Sequence, residues 1–84
     1  MEFIAKKGEV IVMDEDETYL VLATYEYNGS PYLHLLKTGE HILDRNYKVE
    51  LEKTFYAKEV LTEDDNYLLE FVTDEGLIKV LKTL

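Results

Sequence analysis

Thr18-Tyr19-Leu20-Val21-Leu22-Ala23-Thr24-Tyr25-Glu26-Tyr27, then Asn28-Gly29-Ser30-Pro31, then Tyr32-Leu33-His34-Leu35-Leu36, is the stretch whose reading decides the fold. Its first segment is dense in β-branched and aromatic residues and apolar on both parities near its start, so it reads as a strand whose second half has one wet face. Asn28 and Gly29 both tolerate the positive φ that a type I′ turn demands, and the apolar run beyond them returns as the partner strand. The same turn chemistry accounts for Asn28-Gly29-Ser30, which formally matches a glycosylation acceptor but is followed at once by Pro31.

Working outward, Gly8 to Met13 reads as a short strand that ends at an acidic turn, Asp14-Glu15-Asp16-Glu17. Beyond the hairpin, Lys37 to Asn46 is polar and punctuated and reads mainly as a loop. Tyr47, Val49 and Leu51 alternate with Lys48 and Glu50 and favour a strand, although the residues from Glu50 to Glu59 would also tolerate helix. Thr54 to Leu61 reads as extended, Thr62-Glu63-Asp64-Asp65-Asn66 as a polar turn, and Tyr67 to Val72 as the returning strand of a second hairpin. Thr73 stands where a helix N-cap would, and Asp74 and Glu75 suit the positive end of the helix dipole. The helix they open carries Leu77, Ile78, Leu81 and Leu84 on one apolar stripe, with Lys79, Lys82 and Thr83 facing elsewhere. The chain from 1 to 84 is expected to form a single acidic α+β domain. Its form is a small curved antiparallel sheet of about five strands, in the manner of an SH3-like partial barrel, with one C-terminal helix.

Composition agrees with that frame. The 84 residues include 18 Asp+Glu against 9 Lys+Arg, a net charge of −9, with 46% hydrophobic residues, four glycines and one proline. This is a folded domain with negative charge on its surface rather than a disordered acidic tail. Cysteine is absent, which removes disulfides, thiolate metal sites and a cysteine nucleophile together. The N-terminus lacks the apolar run of a signal peptide and no stretch is long and apolar enough to span a bilayer, so a cytoplasmic protein is expected. The charge sets direct binding to nucleic acid or to a membrane surface aside and favours a basic protein as partner.

The runs from Glu9 to Tyr32 and from Phe55 to Leu81 resemble the YrzB-like family of small acidic bacterial domains of unknown function. The residues that carry the resemblance are Asp14-Glu15-Asp16-Glu17, then Tyr19 to Gly29, then Tyr32-Leu33-His34-Leu35-Leu36. In the second half they are Phe55-Tyr56-Ala57-Lys58-Glu59-Val60, Glu63-Asp64-Asp65, Tyr67 to Val72, and Asp74-Glu75. Residues 38 to 53 depart from the family pattern, which usually continues with a shorter acidic connection. The resemblance implies a fold and transfers no functional residues.

No catalytic or cofactor constellation stands out. Asp14 to Glu17 lacks the glycine and the later glutamate of a calcium loop, and acids clustered in turns stay ionised in water rather than dividing acid and base roles. His34 lies in an apolar strand, where it reads as a packed or edge-strand side chain, and His41 lies in a polar loop. A zinc or enzymatic site would need both histidines to converge with carboxylates in one pocket. The glycines match no phosphate-binding loop. Seven tyrosines without basic company read as core and cross-strand pairs.

The expectation is therefore no catalytic residue, no metal and no cofactor, and a non-enzymatic interaction or regulatory module. Asp14, Glu15, Asp16, Glu17, Glu63, Asp64 and Asp65 are the candidate contacts to a basic protein. One alternative is a DNA-mimicking inhibitor, which requires those acids to share one face, and another is a small metal-dependent or enzymatic domain built around His34, His41 and nearby acids. An unpaired edge at Tyr32 to Leu36 or at Tyr47 to Leu51 would allow a homodimer, but the net charge opposes self-association and a monomer is expected.

Overall fold

A computed structural model describes residues 3–14, 17–38 and 54–84. Five strands run in chain order: β1 (Val10–Asp14), β2 (Glu17–Tyr27), β3 (Ser30–Thr38), β4 (Thr54–Leu61) and β5 (Tyr67–Phe71), followed by one helix, α1 (Glu75–Lys82). They form one sheet in the order β1-β2-β3-β4-β5 with every neighbouring pair antiparallel. The α+β class and the curved antiparallel sheet with a C-terminal helix are thus as the residue pattern implies.

The β2–β3 hairpin turns at Asn28 (φ 51) and Gly29 (φ 74), both in the left-handed region that a type I′ turn requires. Lys37 and Thr38, read from sequence as loop, belong to β3. There the Thr38 hydroxyl pairs with that of Thr18 at 2.7 Å, a cross-strand contact that prolongs the ladder. Tyr32 to Leu36 is not an edge, because β4 pairs along β3 from Tyr32 to Leu36. The edges of the sheet among the described residues are β1 and β5. The strand expected at Tyr47 to Leu51 lies outside the described residues.

One irregularity controls which side chains meet. In β2, Val21 pairs with Leu35 and Ala23 with His34, leaving Leu22 as an extra residue in a β-bulge. Side chains alternate along a strand, so one inserted residue swaps the faces beyond it. Tyr19 and Val21 therefore point to the first face with Leu33, Leu35 and Ala57, where Ala5 completes the buried cluster. Tyr25, two strand positions past the bulge, stands opposite Tyr32 on the second face.

The sheet curls around its first face. Tyr19 on β2 and Phe71 on β5 are three strands apart, roughly 14 Å on a flat sheet, yet their ring centroids lie 5.6 Å apart. The result is a half-barrel. Its concave side is crossed by the N-terminal segment, with Phe3 packed on the core and Ala5 inside it.

The helix lies against the second face, where Leu81 is completely buried. Its N-cap is Asp74 rather than the expected Thr73: the Asp74 carboxylate accepts from the backbone amides of Gly76 at 2.8 Å and Leu77 at 3.1 Å. The sheet explains the shift, since the Val72 amide still donates to the Tyr56 carbonyl at 2.8 Å and the chain leaves the ladder only after it. Leu84 is 57% exposed and lies beyond the helix, so it does not extend the buried stripe.

Candidate protein-interaction face

The alternating direction of the strands divides the five described acids among the seven singled out from sequence. Asp14 and Glu17 are paired where β1 meets β2. Glu63, Asp64 and Asp65 belong to the β4–β5 turn, at the opposite end of the strands. Glu15 and Asp16 lie outside the described residues. The described acids of the two turns thus lie at opposite ends of the strands, a placement in which phosphate mimicry by both is hard to maintain.

The β4–β5 turn is held open to solvent by its own backbone. Asp65 has a φ of 62 and donates its amide to the Thr62 carbonyl at 3.0 Å, while the Thr62 amide donates to Asn66. The Asn66 amide is held by the Thr62 hydroxyl at 3.1 Å. Glu63, Asp64 and Asp65 are all exposed. At the same end of the sheet lies the Asn28-Gly29 turn, because β2 and β4 run in the same direction.

On the second face at this end the bulge gathers an aromatic strip. Tyr27 and Tyr32 are 6.4 Å apart, Tyr25 and Tyr56 6.2 Å, and His34 stacks on Tyr56 at 4.4 Å with 3° between the ring planes. Tyr56 is buried, whereas Tyr25, Tyr27 and Tyr32 are half-exposed. The strip continues across the register Tyr32–Lys58–Glu70. A shallow notch of about 200 Å³ beside it is lined by Tyr32, Glu70, Asp74 and Leu77 among others. The tyrosines thus act as cross-strand pairs and as partly open surface at once.

His34 is a packed side chain of a central strand. Burial, reinforced by the Lys82 ammonium of α1, holds its imidazole below the ordinary 6.5. Its Nε2 is buried without a hydrogen-bond partner among the described residues, an arrangement that suits a neutral ring. Burial and then the neighbouring Tyr25 raise the Tyr56 phenol. His41 lies outside the described residues, and among those described no group of three or more His, Asp or Glu side chains is placed to hold a metal.

Sequence reading missed Glu59. It is buried on the concave face at 4% exposure. Its carboxylate accepts from the Ile4 amide at 3.1 Å, the Ala5 amide at 2.8 Å and the Tyr67 hydroxyl at 2.6 Å. Burial, followed by that hydrogen bond, pushes the Tyr67 phenol far above its ordinary 10. The signal was present in the alternation Phe55, Ala57, Glu59, Leu61, where an acid interrupts an apolar face. Glu59 fixes the N-terminal segment across the half-barrel.

No protein-family model matches the chain, and no curated protein or solved structure matches it significantly. Among the described residues no helix is long and apolar enough to cross a membrane.

Proposed function

We propose that this chain is a non-enzymatic interaction module that binds a basic protein through the end of the sheet carrying Tyr25, Tyr27 and Tyr32. The observation that supports the reading is the company these residues keep. Three half-exposed tyrosines share one end of the fold with the exposed carboxylates of Glu63, Asp64 and Asp65, and Lys58 on β4 and Glu70 on β5 follow Tyr32 across the register. Tyrosine supplies large contact area at low entropic cost, and a carboxylate rim steers and orients a cationic partner. Asp14 and Glu17 add to the long-range field from the far end without touching the same partner surface.

The narrower fold reading, an SH3-like partial barrel, belongs to the same proposal and draws on the curl of the five-strand meander. The likeness to the YrzB-like family contributes a fold expectation and no activity. A cytoplasmic location and a monomeric state fit a charge of −9 on an 84-residue chain.

The test is affinity capture from a bacterial lysate at low and at high salt, using the parent chain and a Tyr27→Ser/Tyr32→Ser variant shown to be folded by circular dichroism. A basic protein retained by the parent at low salt, shed at high salt and lost with the variant supports the reading. Equal retention by both chains, or no basic protein with either, refutes it.

A further inference from the structure

The concave side of the half-barrel holds a cleft whose described lining includes two lysines in a chain of net charge −9. It has a volume of about 460 Å³ and lies between the N-terminal segment and β2, lined by Phe3, Ala5, Lys6, Lys7 and Thr24. That volume is in the range of small-molecule sites. We propose that this cleft binds a small carboxylate with an apolar body, a ligand separate from the protein partner of the second face.

Charge is the first argument. Acids outnumber bases 18 to 9 over the chain, yet the described lining contains two adjacent lysines and no carboxylate. Neither ammonium has an ion-pair partner among the described residues; the Lys6 contact to Glu9 is made by the backbone amide. An approaching anion meets two exposed lysines in the lining, with the Glu9 carboxylate turned onto the Lys6 amide beside them.

The walls supply the second argument. Phe3, partly buried against the core, presents the apolar surface, and the Thr24 hydroxyl has no partner among the described residues. The overall field of a strongly acidic protein repels a free inorganic anion, so the local lysine pair alone is a weak trap in salt. A ligand that also buries an apolar body against Phe3 gains a contribution that salt does not screen. The combination selects an amphiphilic carboxylate over inorganic phosphate.

Preorganisation is the third. The wall is not a loose terminus, because the Ile4 and Ala5 amides are anchored to the buried Glu59 carboxylate. The Gly8 amide donates to the Val21 carbonyl at 2.9 Å and closes the other end. Lys6 and Lys7 lie between these two anchors, so little ordering remains to be done on binding.

Anilinonaphthalene sulfonate, an anionic apolar dye, tests the site in the intact chain. Saturable fluorescence displaced by decanoate but not by decyltrimethylammonium is expected, with amide shifts at Thr24 on decanoate addition. Lys6→Gln/Lys7→Gln, two changes at exposed positions, should weaken decanoate about tenfold through loss of both charge contacts, and Thr24→Trp should block the cleft. Equal displacement by the cationic surfactant, an unchanged decanoate affinity in the double variant, or no saturable binding at millimolar decanoate would each overturn the proposal.

Discussion

Replacing Glu59 by alanine should produce the largest loss of stability of any single charged-residue change among those described. Three hydrogen bonds end on its carboxylate, from Ile4, Ala5 and Tyr67. A bond to a charged acceptor contributes about 1.5–3 kcal/mol, giving a gross loss of about 4.5–9 kcal/mol. Relief from holding a carboxylate in the interior returns several kcal/mol. Ile4 is exposed enough for its amide to find water, so the net cost of Glu59→Ala should be about 3 kcal/mol. With a urea slope of about 1–1.5 kcal/mol/M for a small domain, the unfolding midpoint falls by roughly 2–3 M. Amide exchange at Ile4 and Ala5 should rise at the same time. Glu59→Gln keeps an oxygen for Ala5 and Tyr67 but turns an NH₂ toward Ile4, and should cost about 1 kcal/mol. A Glu59→Ala midpoint within 0.5 M of the parent, a margin worth about 0.5–0.75 kcal/mol on that slope, would refute the reasoning.

Other consequences follow from local geometry. Asp74→Ala should cost about 1 kcal/mol in thermal melts and Thr73→Ala less than about 0.5, because the cap bonds belong to Asp74. Gly29→Ala should cost about 1 kcal/mol, purely through its φ of 74, since nothing lies within 4 Å of an added Cβ. His34 is held below 6.5 in the folded state, so the unfolded chain binds the extra proton first. Its neutral form therefore contributes stability that is full above pH 6.5 and is lost as pH falls from there through the folded value. The parent should lose more stability than His34→Phe between pH 7.5 and 5 in urea titrations, and parallel curves would contradict this.

The hairpin at Asn28-Gly29 was legible because its signal is local: two residues able to take positive φ between apolar runs. The α1 cap was legible only to within one residue. Thr73 and Asp74 can both cap, and the choice is made by the Val72 amide, which remains bonded to Tyr56 across the sheet. The aromatic strip was the least legible part. Counting by twos from Tyr19 puts Tyr25 and Tyr27 on the concave face, and the bulge at Leu22 reverses that parity. The His34–Tyr56 stack likewise depends on the register between β3 and β4, strands that are not adjacent in sequence. Glu59 was readable as an acid on an apolar parity, but its partners at Ile4 and Ala5 are 55 and 54 positions away.

The proposed binding face is tested most directly by amide proton–nitrogen correlation spectra of this chain, titrated with a basic protein recovered in the low-salt affinity capture. Shifts concentrated at Tyr25 to Tyr32, Lys58, Glu63 to Asp65 and Glu70, weakening as salt is raised, are the predicted result. Shifts confined to the Asp14 and Glu17 end of the sheet would contradict it.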